Sequence, residues 1–277
     1  RRHDALEAMS QTDSTDLLYG LHPVLEALRA KDRDLHRIYL EQGRRGRAVE
    51  EILELARARR VPVAFELREG LDRRAGTARH QGAVGVAAVK AYLSLDDLLE
   101  SLSGLDAPLL LVLDGIEDPH NLGAILRTAE AAGAQGVILP TRRAVGLTGT
   151  VAKASAGAIE HLPVARVVNL SQAIERLKEA RFWIYGLDAK GSRSYAEVDY
   201  RGPVALVVGG EGRGLRPLVA GRCDGTVRIP MRGKVESLNV SVATAVVLYE
   251  ILRQRAGSSQ SLAPGGRGVG EGDPISQ

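Results

Sequence analysis

The run LLLVLD, residues 109–114, sets five aliphatic side chains in a row with no polar residue between them. Successive side chains of a strand point to opposite faces, so such a run suits a strand covered on both sides. Parallel strands require that double cover, because the chain returns between them through a crossover that is usually a helix. Comparable runs recur at GVILP (136–140), HLPVARV (161–167), FWIYGLD (182–188), VALVVGG (204–210) and GTVRIP (225–230). Helical spacing of apolar residues marks NLGAILRTAEAAG (121–133), LSQAIERLKEA (170–180) and NVSVATAVVLYEILRQR (239–255). The alternation predicts an α/β domain with a mostly parallel sheet.

A shorter alternation precedes it. HPVLEALRA (22–30) reads as a helix with Pro23 in its first turn, and AVEEILELARARR (48–60) as an amphipathic helix. HRIYL, VPVAFE and GAVGVAAV read as strands. The expected organisation is a polar tail over 1–16, a small α/β domain over 17–91 and a linker over 92–107. The larger α/β domain follows over 108–255, and a Gly-, Ser- and Pro-rich tail over 256–277. Neither tail has the apolar content to offset its ordering entropy, so both are expected to be flexible.

Composition closes several classes. Aromatics make up 4% of the 277 residues, so the core must be aliphatic. A single cysteine, Cys223, excludes an internal disulfide framework and a four-cysteine zinc site, fits a reducing cytoplasm, and is read as structural. No run approaches the length of a membrane span, and the basic N-terminus has no apolar stretch behind it of the kind a secretory signal needs. The formal charge of +3, from 37 basic and 34 acidic residues, argues little for nucleic acid. The clusters RRGR (44–47), RARR (57–60) and the Arg pairs at 73–74 and 142–143 each read first as solvated surface.

Ligands of open parallel sheets sit beyond the carboxyl ends of the strands, which directs attention to three loops. After LLLVLD, Asn121 reads as a helix cap, Gly123 as a point of close approach, and Arg127 as an exposed residue able to pair with Glu130. After VALVVGG, the run GGEGRG (209–214) suits backbone amides lining a small-molecule site, and a tight turn explains only one or two of its glycines. It lacks the spacing of a dinucleotide fingerprint or a P-loop, which counts against a nucleotide-dependent dehydrogenase. After GTVRIP, MRGKVESLN offers both Ser237 and Asn239 where one cap would suffice. His80, His120 and His161 stand apart in sequence, no Ser–His–Asp set is present, and metal-ligand spacing is missing, so no metal is expected. Glycine loops, one guanidinium and neutral amides suit positioning better than hydrolysis.

These three loops resemble the signature motifs of the SpoU (TrmH-like) RNA ribose 2′-O-methyltransferases of the SPOUT superfamily. DPHNLGAILRTAEAAG (118–133), LVVGGEGRGL (206–215) and IPMRGKVESLNVSVATAVVLYE (229–250) occur in the order of its three motifs. YGLHPVLEAL (19–28) and RHQG (79–82) resemble the L30e-like substrate-binding domain of the family's 23S rRNA guanosine methyltransferases. The resemblance implies a C-terminal domain with a deep trefoil knot, S-adenosylmethionine as cofactor, RNA as partner, and a homodimer joined through the catalytic domains. It implies cofactor contacts from Gly209, Gly210, Glu211, Gly212, Ile229, Met231, Ser237, Leu238 and Asn239, and a methyl-transfer centre of Asn121, Arg127, Glu211, Ser237 and Asn239. A guanidinium does not readily release a proton, so Arg127 is expected to grip an RNA phosphate, and a phosphate oxygen or Glu211 to receive the ribose proton. The expected substrate is a 23S rRNA guanosine. The alternatives are an rRNA adenosine, a tRNA, or a non-catalytic RNA-binding relative, which would be marked by loss of Asn121, Arg127 or Asn239.

Overall fold

The computed structural model describes residues 15–30, 33–88, 90–212 and 214–260. Four strands form the first sheet: β1 (Thr15–Tyr19), β2 (Leu35–Glu41), β3 (Val63–Glu66) and β4 (Ala83–Ala88), in the order β1-β4-β2-β3. The β4 strand pairs antiparallel with both β1 and β2, while β2 and β3 run parallel. Helices α1 (Leu21–Arg29), α2 (Arg47–Ala58) and α3 (Arg68–Ala75) complete this unit. Val24, Leu25 and Leu28 of α1 and Val49, Ile52 and Ala56 of α2 turn inward, and they share one core with Ile38 and Leu40 of β2.

Two of these elements lie outside the sequence expectations. The short TDLLY edge strand claims Thr15 and Asp16 from the segment expected as tail, and REGLDRRA forms α3 with only Leu71 buried. The segment 92–107, expected as a linker, carries α4 (Leu95–Ser101), whose Ser94 makes a capping box with Asp97. Leu98 and Leu102 pack into the second domain's core.

That second sheet contains β5 (Leu109–Asp114), β6 (Gly136–Pro140), β7 (Val164–Val167), β8 (Trp183–Leu187), β9 (Arg193–Ser194), β10 (Val204–Gly209) and β11 (Gly225–Arg228). Their order is β7-β6-β5-β10-β8-β11-β9, and every pairing is parallel. All six residues of β5 and of β10 are buried, as their unbroken apolar runs require. The chain builds outward from β5 through β6 to β7, then crosses to β8 on the other side, and β10 later fills the gap between β5 and β8. The switch of direction therefore falls between β5 and β10. Helices α5 (Pro119–Ala131), α6 (Gly149–Ala154), α7 (Leu170–Glu179), α8 (Pro217–Ala220) and α9 (Val240–Gln260) surround the sheet. The last helix runs on past Arg255, into the segment expected to be flexible from residue 256. The remaining residues of both expected tails lie outside the described residues.

The two domains meet closely. Tyr19 Oη and Thr150 Oγ1 share a hydrogen bond of 2.8 Å, and His161 Nε2 lies 2.7 Å from Glu26 Oε2. Arg33, 5% exposed, lies 3.3 Å from Asp16 and 3.5 Å from the buried Glu160. At Gly149, a Cβ would stand 2.0 Å from the Leu17 carbonyl oxygen, so the first turn of α6 abuts β1 backbone to backbone. Among the described residues, no helix is long and apolar enough to cross a membrane.

Candidate active site

The loops after β5, β10 and β11 converge at the switch point of the second sheet. Asp114, the last residue of β5, is buried and receives both Arg216 Nε at 2.6 Å and the Arg216 backbone N–H at 3.1 Å. This pair ties the loop after β10 to the end of β5. The Gly210 N–H donates to the Asp114 carbonyl at 2.8 Å, and the Gly214 N–H to the Gly210 carbonyl at 3.1 Å, closing the loop on itself.

All four glycines of GGEGRG have backbone reasons, contrary to the expectation that a turn accounts for one or two. A Cβ on Gly209 would lie 2.1 Å from the Gly214 carbonyl carbon, and one on Gly210 would lie 2.2 Å from the Gly115 oxygen. Gly212 and Gly214 have φ of 74° and 61°, in the left-handed region that glycine tolerates. All four also line one cavity, so both explanations apply to the same residues.

Asn121 was expected to cap its helix, and it does not. Asp118 is the cap: its Oδ1 accepts from the His120 N–H at 3.0 Å, and Pro119 occupies the first helical position. Asn121 sits one turn further in, buried, with its side chain released for other work. Its Nδ2 donates to Glu211 Oε1, and its Oδ1 accepts from Asn239 Nδ2 at 3.0 Å. Asn239 Nδ2 also lies 3.3 Å from Glu211 Oε1. Residues from three separate segments, one on α5 and two on loops, thus form one closed triad.

Asn239 has a second duty. Its Oδ1 accepts from the Ser241 N–H at 2.9 Å and the Ser241 hydroxyl at 2.6 Å, which caps α9. Ser237 has no cap bond among the described residues, so of the two candidates Asn239 is the one that caps. Gly123 serves helix packing and no ligand, because its Cβ would fall 2.3 Å from that of Ala154 on α6.

The triad divides two cavities. One, of about 450 Å³, is lined by Gly209, Gly210, Glu211, Gly212, Ile229, Met231, Ser237, Leu238 and Asn239, together with residues such as Leu187, Asp188 and Val208. Every residue that the resemblance assigns to the cofactor lies on this wall. The other, of about 490 Å³, is lined by Glu117, Asp118, Asn121, Arg142, Arg143 and Arg216, among others. Glu211 faces both cavities, Asn239 only the first and Asn121 only the second.

Arg127 is not in this group. Six residues at roughly 100° each carry it about 120° around α5 from Asn121. It is exposed, lines neither cavity, and makes no ion pair with Glu130 or any other described residue. Asp188 and Ala189 after β8, and Arg142 and Arg143 after β6, line the cavities without having been singled out as site residues. Position at a strand's carboxyl end was the one signal available for them.

The model of the SpoU rRNA methylase family matches residues 108–249, more than half of the chain. The chain belongs to that family. A model of RNA 2′-O ribose methyltransferase substrate binding matches residues 17–93. The 23S rRNA (guanosine-2′-O-)-methyltransferase RlmB of Bordetella pertussis is 48% identical over 248 residues, covering 88% of this chain and 99% of that protein. Its namesake from Ralstonia nicotianae is 46% identical over 244 residues, covering 87% and 96% respectively. The crystal structure of the SpoU methyltransferase AviRb from Streptomyces viridochromogenes, in complex with AdoMet, superposes with a TM-score of 0.74 at 25% identity over 92% of this chain and 94% of that one. The family resemblance and the two-part α/β expectation both hold, and the dehydrogenase reading falls.

Proposed function

We propose that this chain transfers a methyl group from S-adenosylmethionine to the ribose 2′-hydroxyl of a guanosine in 23S rRNA. The observation that carries the reading is the triad of Asn121, Glu211 and Asn239 standing between two cavities, one walled by the family's cofactor motif residues. Relatives named for this reaction support the RNA and the nucleoside, and the matched substrate-binding region supports RNA capture by the first domain.

The residues present fit the cofactor. Leu187, Val208, Ile229, Met231 and Leu238 offer apolar surface for a purine, and the glycine loop offers backbone groups. Among the described residues that cavity has no cationic side chain and three carboxylates, Asp188, Glu211 and Glu236, which favours a cation. When bound, S-adenosylmethionine supplies an electrophilic methyl group on a positively charged sulfur.

The chain's own contribution is alignment and proton handling. Asn121 and Asn239 hold Glu211 Oε1 by hydrogen bonds, which fixes the carboxylate at the boundary between the two cavities. Such positioning accounts for roughly 7–11 kcal/mol of barrier in favourable intramolecular reactions. Glu211 Oε2, which has no hydrogen-bond partner among the described residues, or an RNA phosphate oxygen, takes the 2′-hydroxyl proton as the new C–O bond forms. A Glu211→Gln pH–rate profile separates the two. Ser237 closes the cofactor wall.

Arg127 lines neither of the two cavities, which supports placing it against the site of a second copy, where it grips the RNA backbone. The homodimer belongs to this reading. Val242, Tyr249 and Leu252 on α9 are 49%, 52% and 39% exposed, and their spacing puts them on one helical face. The trefoil knot, the domain limits 17–91 and 108–255, and a cytoplasmic location also belong to it.

The deciding experiment uses tritiated S-adenosylmethionine with unmodified 23S rRNA, 16S rRNA and bulk tRNA, followed by mapping of 2′-O-methyl sites. Label at one 23S guanosine is the expected result. Label in tRNA alone would keep the chemistry and overturn the substrate. No label, with cofactor still bound, would favour a non-catalytic RNA-binding role.

A further inference from the structure

The cavity on the Asn121 side holds charges that methyl transfer does not use. Glu117, Arg142 and Arg143 all line it, all are exposed, and none has a side-chain hydrogen bond or ion pair with another described residue. The other charged groups there are engaged: Asp114 with Arg216, Asp118 with the helix cap, Glu211 with two amides.

Two loops bring the three free groups together. The Val145 N–H donates to the Ile116 carbonyl at 3.0 Å, clamping the loop after β6 onto the loop after β5. Arg143 has φ of 59°, a backbone state relaxed for glycine and strained for arginine. The chain keeps an arginine at the one position of this loop where a glycine would fit more easily.

We propose that this cavity is the base pocket of the target nucleoside and that it reads guanine, resting on the activity proposed above. The Glu117 carboxylate accepts from N1–H and the N2 amino group, while the guanidinium groups of Arg142 and Arg143 donate to O6 and N7. Guanine is the base whose edges offer two adjacent donors for a carboxylate and two acceptors for a guanidinium. Adenine would turn its N1 lone pair toward Glu117 and is rejected. A pocket for phosphate alone would use the arginines but would be opposed by the unpaired carboxylate. At about 490 Å³ the cavity is within the range of small-molecule sites.

The test uses the 23S rRNA fragment methylated in the mapping assay, with its target guanosine replaced by inosine, which lacks the N2 amino group, or by 7-deazaguanosine, which lacks N7. For the unaltered enzyme, kcat/KM is expected to fall about 10- to 100-fold with inosine. In Glu117→Ala that discrimination is expected to shrink to within about threefold, with S-adenosylmethionine affinity unchanged as the check on folding. The double variant Arg142→Ala/Arg143→Ala should likewise lose its discrimination against 7-deazaguanosine. Equal discrimination in Glu117→Ala and the unaltered enzyme, or none in either, would overturn the pocket. An arginine double variant that weakens all RNAs alike and lowers the salt dependence would show the arginines on phosphate and overturn their part. Failure of the unaltered enzyme to methylate the guanosine fragment would instead sink the activity on which the pocket rests.

Discussion

The side-chain amide of Asn239 donates to Oδ1 of Asn121 at 3.0 Å, joining the start of α9 to the first turns of α5 across 118 positions of sequence. The same Asn239 caps α9 through its oxygen, so one side chain fixes a helix and the Asn121 amide together. Asn239→Asp separates the two duties. The cap acceptor survives, but the donor to Asn121 and Glu211 is lost and a second carboxylate faces Glu211. Methyl transfer is expected to fall by about 100-fold or more, while α9 stays capped. Asn239→Ala should lose the cap too, at about 1 kcal/mol of stability. Chemical denaturation beside a methyl-transfer assay distinguishes them, and equal activity in Asn239→Asp would remove the triad from the mechanism.

Arg127 lines neither of the two cavities, so if the chain acts as the homodimer proposed above, activity should require two chains. Arg127→Ala and Asn239→Asp are each expected to be nearly inactive alone. Mixed and refolded together, they should regain about a quarter of the full activity, because half of a random mixture is heterodimer and each heterodimer holds one intact site of two. No recovery on mixing would place Arg127 on the site of its own chain.

Gly149→Ala should loosen the junction between the domains. The added Cβ would meet the Leu17 carbonyl oxygen at 2.0 Å, and neither backbone has a side-chain torsion to absorb the contact. A loss of about 1–3 kcal/mol is expected, as for overpacking in a core. Gly202→Ala is the matched control, since nothing lies within 4 Å of its Cβ and its φ is not positive. It should be neutral or slightly stabilising. Two thermal melts decide the matter, and equal melting temperatures would mean that the junction yields.

Cys223 should be slow to alkylate. Burial, with help from the neighbouring Asp224 charge, pushes its thiol up to about 11, and its Sγ lies 3.4 Å from the Val219 carbonyl oxygen. At pH 8 the reactive thiolate should be about 100-fold scarcer than in the unfolded chain. Iodoacetamide kinetics with and without denaturant measure the ratio. Because the thiol ionises more readily when unfolded, this group lowers stability as pH rises from about 9 toward 11. Equal alkylation rates would mean that the pocket around Cys223 opens freely.

Much of the fold was legible because burial leaves a mark on composition. LLLVLD and VALVVGG read as doubly covered strands because any polar residue inside them would have been left without water. The two elements of the first domain that lie outside the sequence expectations have little to bury. TDLLY is an edge strand of five residues, and REGLDRRA buries only Leu71. Asn121 reads as a cap because any one of several polar residues near a helix start is able to cap it, and Asp118 before Pro119 takes the role. GGEGRG reads as ligand chemistry, yet Gly209 and Gly210 are equally required by backbones passing within 2.1–2.2 Å of where a Cβ would stand, and Gly212 and Gly214 by their positive φ.

What the sequence by itself determined is the long apolar strands and helices, the identity of the three loops and their family, because periodicity and motif are properties of neighbouring residues. Tertiary structure alone decided that β10 inserts between β5 and β8, which brings Asn121, Glu211 and Asn239 into hydrogen-bond contact and leaves Arg127 outside both cavities. Strand order depends on how whole faces pack against one another, and nothing local to any of those residues carries that information.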